Sequence, residues 1–166
     1  TPSKDPSDND KQYKDALEYY EKFKLGTKKN DAGLLAVMSD NNKWKIPTLV
    51  RYWCKKFGLD TRLVYAMIYQ ESSGNPYLDE AAYGLMQCEK SCYFGRKQTI
   101  KFLDGSTKSF TPSYSTMKPG SQGKTTINGV KVDKAVSNQI MFGCHELRQR
   151  AENFHFNVFA TLIGYN

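Results

Sequence analysis

Residues 61–71 constrain this chain more than any other segment. Leu63, Val64, Ala66, Met67 and Ile68 spread around nearly the whole circumference of a helix, which predicts a helix buried at the centre of a domain. Asp60 stands at the N-cap position, and Ser72-Ser73-Gly74-Asn75-Pro76 stops the segment abruptly. The rest of the chain must therefore wrap a central helix whose last residue, Glu71, is an acid.

Further helices are signalled upstream. Residues 11–25 place Tyr13, Ala16, Leu17, Tyr20 and Lys24 near one face, with Gly26 as a stop. Asp31 is positioned to cap a short helix through Leu34, Leu35, Val37 and Met38. Pro47 suits the first turn of another through Leu49, Val50, Trp53 and Phe57, ended by Gly58. From 97 to 134 the pattern changes to Thr, Ile, Phe and Val with the turn pairs Asp104-Gly105 and Asn128-Gly129, which predicts an insertion of tight β-hairpins. Helical periodicity returns at Ile140, Cys144, Leu147 and Ala151, and an apolar stretch over 154–163 precedes Gly164-Tyr165-Asn166.

The expected fold class is α+β, mainly α. One domain spans 11–166, with N-terminal helices in 11–45 and the β-hairpin insertion at 97–134. Residues 1–10, polar and rich in Pro and Ser, read as a linker remnant, and the start at Thr1 reads as that of an excised or processed domain.

The 24 Lys and Arg outnumber the 17 Asp and Glu, and the net charge of +7 favours an anionic partner. The Lys residues are scattered through every segment without a helix-turn-helix, zinc-finger or aromatic RNA-binding signature, so nucleic acid is not expected. No stretch approaches the roughly 18 apolar residues of a membrane span. The four cysteines, Cys54, Cys88, Cys92 and Cys144, are too few for a disulfide-built scaffold, although they permit one or two bridges; buried, inert thiols are expected. Cys88, Cys92, Cys144 and His145 lack a recognised zinc-ligand spacing, so neither metal nor cofactor is expected. Trp44, Trp53, Met67 and Met141 read as core, and His145 and His155 as surface or capping residues without a triad partner.

Glu71 is the candidate for chemistry. At the end of an apolar helix, the negative end of the helix dipole and partial burial both oppose its ionisation. A carboxyl that keeps its proton near neutral pH is what glycosidic cleavage requires of a general acid. Taken alone, an exposed and salt-bridged Glu is the plainer alternative.

Its surroundings alter that balance. Glu71-Ser72-Ser73-Gly74-Asn75-Pro76, followed by Gly84-Leu85-Met86-Gln87, resembles the paired signature of the soluble lytic transglycosylases, relatives of the goose-type lysozymes. Asn138 with Gly143 resembles that family's Asn-x-x-x-x-Gly helix start, and Ala160 through Tyr165-Asn166 resembles its closing Tyr-Asn element. The four motifs, in family order, cover about residues 48–166. The resemblance implies a lysozyme-like fold, with Glu71 as acid and base, Ser72 steadying the turn and Gln87 contacting sugar. It also implies that Tyr165 holds Glu71 by a hydrogen bond and that Asn138 lies along the substrate site. The spacer between the first two motifs is shorter than in many members, Cys88-Glu89-Lys90 replaces the commoner continuation, and the chain stops where members continue with a small residue and Gly. With the hairpin insertion, these departures are similar to the lysozyme-like domains of phage tail lysins and conjugation-associated wall hydrolases.

The implied substrate is the glycan strand of bacterial peptidoglycan, cut between N-acetylmuramic acid and N-acetylglucosamine. A hydrolytic muramidase uses a second carboxylate, whereas a lytic transglycosylase lets the muramyl C6 hydroxyl attack. Asp79, Glu80 and Glu89 lie near the motifs, none at the aspartate positions of goose-type lysozymes, which favours the single-acid route; Glu89, close to Gln87, is the candidate to face the groove. Tyr65, Tyr69, Tyr77, Tyr83 and Tyr93 suit a sugar groove, since aromatic rings cover pyranose faces. A catalytically silent wall-binding or structural module is the alternative of another class. Either would work outside the membrane, at the wall, by export or by delivery within a larger phage tail or secretion assembly.

Overall fold

The computed structural model describes residues 28–153. The readings made for 11–25, 154–163, His155 and Tyr165 lie outside the described residues. Three helices open the described part: α1 (Lys28–Met38), α2 (Ile46–Phe57) and α3 (Thr61–Ser72). Helix α1 begins at Lys28, so Asp31 lies inside it and is not its cap. Helix α2 has Pro47 in its first turn, where a missing N–H costs nothing, and ends at Gly58, whose φ of 69° lets its N–H reach the Cys54 carbonyl. Asp60 then caps α3 by accepting from the Arg62 N–H at 2.8 Å.

Helix α3 is buried at Leu63, Val64, Tyr65, Ala66, Met67, Ile68 and Ser72, as its composition predicts. It packs on α1 and α2, and α2 packs in turn on a twenty-residue helix, α6 (Lys134–Asn153). The core joins Leu49, Val50 and Phe57 of α2 to Met67 and Ile68 of α3 and to Ile140, Met141, Phe142 and Leu147 of α6. Polar bonds from Trp53 Nε1 to Ser137 Oγ at 3.0 Å and from Arg148 Nη1 to the Phe57 carbonyl at 3.2 Å also join α2 and α6. Trp53, Met67 and Met141 are buried as expected, while Trp44 is half-buried at the core's edge.

His145 corrects its reading as a surface or capping residue. It is 4% exposed and packs against the rings of Phe57 and Phe142, and burial pushes its pKa down. The cysteines divide: Cys54, Cys88 and Cys144 are buried thiols, and Cys92 is exposed, against the expectation for all four.

Between α3 and α6 lie three separate two-stranded antiparallel sheets. Strands β1 (Ala82–Tyr83) and β2 (Cys88–Glu89) flank the Gly84-Leu85-Met86-Gln87 turn, and β2 runs into the short helix α4 (Lys90–Tyr93). The insertion holds β3 (Gln98–Lys101) with β4 (Thr107–Phe110), then α5 (Tyr114–Met117), then β5 (Lys124–Ile127) with β6 (Val130–Asp133). Asn128 and Gly129, with φ of 50° and 77°, form the two-residue turn their sequence predicts. Asp104-Gly105 instead sits in a longer turn closed by Phe102 N–H to Ser106 O at 2.9 Å. The single turn of α5 is one element the hairpin pattern did not announce; Ser113 and Thr116 close it with a capping box.

Candidate active site

Glu71 occupies the last turn of α3 and is half-buried. Its Oε1 is shut off from solvent and has no hydrogen-bond partner, alone in this among the buried side-chain nitrogens and oxygens of the described residues. Burial raises the pKa of the carboxyl, and no charged group among the described residues contributes to the shift. The C-terminal end of α3 acts in the same sense. The result is a carboxyl that holds its proton above the usual range and has an oxygen waiting for a partner.

The turn below it is tied to the second motif. Ser72 Oγ lies 3.0 Å from the Ile68 carbonyl and 2.8 Å from the Leu85 carbonyl, and it accepts the Gly74 N–H at 3.2 Å. Ser72 therefore joins the end of α3 to the second motif. Ser73 takes a left-handed φ of 53° and returns its N–H to the Tyr69 carbonyl, which ends α3 at Ser72, one residue beyond the acid.

Helix α6 supplies the other anchor. Gln139 is 1% exposed; its Oε1 accepts the Leu85 N–H at 2.7 Å, while its Nε2 donates to Pro76 O at 3.0 Å and Met117 O at 2.7 Å. One side chain thus fixes the end of the first motif, the second motif and the insertion. Gly84 makes room for it: with φ of 85°, any Cβ there would lie 2.6 Å from Gln139 Cδ. Gly143 does the same for Met86, whose Cβ would stand 2.6 Å from an added methyl. Sequence reasoning picked out both glycines but missed Gln139, which only long-range contacts identify.

Among the other expected site residues, Gln87 takes a left-handed φ of 52° and is half-buried, its amide donating to Gly84 O at 2.9 Å. Asn138 is 9% exposed and donates to Thr116 O at 2.9 Å. It lies one turn inside α6, which begins at Lys134, so the reading of Asn138 as a helix start is corrected. Its amide holds α5 against α6. Glu89 is exposed at the start of α4. Asp79 is committed to Lys90 at 2.6 Å and to the Tyr114 hydroxyl at 3.0 Å, and these partners hold its carboxyl below the ordinary range. Of the tyrosines, Tyr65 and Tyr83 are buried, Tyr69 and Tyr93 half-buried, and Tyr77 exposed edge-on to Trp44 with ring centroids 5.7 Å apart.

One further carboxyl escaped the sequence reading. Glu146 on α6 is half-buried, and desolvation raises its pKa against the opposing effects of the Tyr93 hydroxyl and Arg150. It shares its neighbourhood with Glu89 and with Cys88, a thiol pushed up to about 12 by burial. Spacing gave no signal for it, because its partners come from β2 and α4.

Residues 48–117 match the family described as the transglycosylase SLT domain, a stretch running from α2 through Glu71, both motifs and the first hairpin to α5. No curated protein and no solved structure matches. The α+β, mainly helical architecture agrees with a lysozyme-like SLT fold, and the match supports transglycosylase-type action on peptidoglycan. Residues 48–117 are thus similar to the transglycosylase SLT domain, and this match supports a resemblance of that part of the chain to the lytic transglycosylase and lysozyme-like superfamily.

Proposed function

We propose that this domain cleaves the β-1,4 bond between N-acetylmuramic acid and N-acetylglucosamine in peptidoglycan, as a lytic transglycosylase with Glu71 as its only acid and base. The observation that carries the proposal is the buried Oε1 of Glu71, which has no hydrogen-bond partner among the described residues. An orphaned buried carboxyl oxygen costs stability, and a purely structural module has no need of one.

Protonated Glu71 donates to the glycosidic oxygen as the C1–O4 bond breaks, releasing the N-acetylglucosamine side as an alcohol. The carboxylate so formed takes the proton of the muramyl C6 hydroxyl while that oxygen bonds to C1, closing the 1,6-anhydro ring and restoring the acid. No water is consumed and no second carboxylate is needed. Supporting this single-acid route, the shift of Glu71 has burial alone as its cause, with no neighbouring carboxylate acting on it among the described residues. Asp79 is engaged by Lys90 and Tyr114. Glu89 is exposed, and Glu146 pairs with Tyr93. Gln87 contacts the sugar from the turn that Ser72 and Gln139 hold.

A domain of this activity works at the wall, reached by export or within a phage tail or secretion assembly. The test is release of soluble muropeptides from purified peptidoglycan: the wild type releases them and Glu71→Gln does not. Equal release by both would remove Glu71 from the mechanism.

A further inference from the structure

A cleft of about 620 Å³ opens along α2, and none of its lining residues comes from α3. Its floor presents Arg51, Lys55 and Lys56, with Tyr52 between them. Residues 51 and 55 are one turn apart and project in the same direction. Lys56 Nζ stands 5.5 Å from the centre of the Tyr52 ring, and Arg51 is ion-paired with the exposed Asp40 at 3.8 Å and bonded to the Tyr65 hydroxyl. The two hairpin turns of the insertion form the lips, through Leu103 and Asp104 on one side and Asn128 on the other. The first lip is fixed: Leu103 N–H donates to the Lys56 carbonyl at 2.9 Å. Leu103 is nevertheless 60% exposed, an apolar side chain at the mouth of a cationic cleft. Asp104 is held ionised by the Ser106 hydroxyl and N–H, so three cations face one carboxylate.

We infer that this cleft binds an acidic peptide with apolar side chains, the chemistry of the stem peptides borne by peptidoglycan. The inference rests on the proposed action on that polymer, and it gives the domain a second hold on its substrate. Carboxylates pair with Arg51, Lys55 and Lys56, while alkyl side chains lie on Leu103 and Tyr52. Leu103 and Tyr52 favour a peptide over a polyol phosphate or a nucleic acid, which offer no alkyl side chain to cover the leucine.

The experiment titrates the whole chain with a stem peptide freed of sugar by amidase, with poly(glycerol phosphate) and with a single-stranded oligonucleotide, each followed by calorimetry. The expected result is saturable peptide binding, weakened roughly tenfold in Lys55→Glu/Lys56→Glu and unchanged in Lys118→Glu/Lys124→Glu, a matched double charge reversal outside the cleft. Thermal unfolding of both variants controls for folding, and amide NMR shifts at residues 51–56 and 103 on peptide addition locate the site in the wild type alone. Absence of peptide binding, or tighter binding of either other polymer with those same shifts, overturns the inference. Wild-type cleavage of glycan strands stripped of peptide is followed in parallel: if cleavage persists without peptide binding, only the cleft assignment fails, and if cleavage is absent, the glycan reading fails.

Discussion

The hydroxyl of Ser72 lies 2.8 Å from the carbonyl of Leu85, thirteen residues along the chain, and this contact brings the acid-bearing helix end and the glycine turn into one site. Replacing Ser72 by Ala leaves a buried carbonyl without this donor and releases the turn that Gly74 N–H also uses. The expected cost is about 1–3 kcal/mol of stability, measured by chemical denaturation, together with a loss of activity larger than unfolding at the assay temperature explains. A Ser72→Ala protein with wild-type stability and rate would show that the contact holds nothing.

Gln139 and Gly84 form a coupled pair. Gln139→Ala strands the Leu85 N–H and the Pro76 and Met117 carbonyls, for an expected loss of about 2–4 kcal/mol. Gly84→Ala meets both a left-handed φ and the Gln139 side chain, for about 1–3 kcal/mol or more. Because the obstacle to an alanine at 84 is Gln139 itself, the two losses should sum to more than the double variant shows. Strict additivity in denaturant midpoints would contradict the packing described.

Glu71 carries a stability signature with a definite sign. Burial raises its pKa, so its contribution is fully present below the ordinary carboxyl range and is lost as pH rises through the raised value. Glu71→Gln, neutral at every pH, should therefore be more stable than the wild type at pH 8, with the gap closing in acid. His145, whose pKa burial lowers, destabilises the fold as pH falls, but equally in both proteins, so the difference isolates Glu71. A Glu71→Gln protein less stable than the wild type at pH 8 would mean that the carboxylate has a partner in the fold.

The pH–rate profile separates one acid from two. Activity should fall on the alkaline side as Glu71 ionises, with the limb lying above the ordinary Glu range. Asp79→Asn, Glu89→Gln and Glu146→Gln should keep that limb and lie within a few-fold of the wild-type rate, whereas Glu71→Gln should lose about 10²–10⁴-fold. A comparable loss in any of the first three would identify a second catalytic carboxyl.

What could be read from the sequence was local. Asp60, Pro47 and Gly58 act through bonds within one helix turn, and Asn128-Gly129 through its own φ angles, so each was visible as a pattern. Glu71 was visible because an acid closing an apolar helix is unusual at any distance from its neighbours. Gln139 was not, since its partners lie 22 to 63 residues away and a glutamine in a helix has no distinguishing pattern. His145 was misplaced for a related reason: its burial depends on two phenylalanines from α2 and α6 closing over it. Asn138 was marked by its motif, yet its bond to Thr116 depends on α5, a helix of one turn with too few residues for periodicity.

The measurement that tests the central claim most directly is mass spectrometry of the muropeptides released from purified peptidoglycan by the wild type and by Glu71→Gln. The single-acid account predicts products ending in 1,6-anhydromuramic acid from the wild type and none from the variant. Products with reducing muramyl ends, one water heavier, would contradict it and make a second carboxylate necessary.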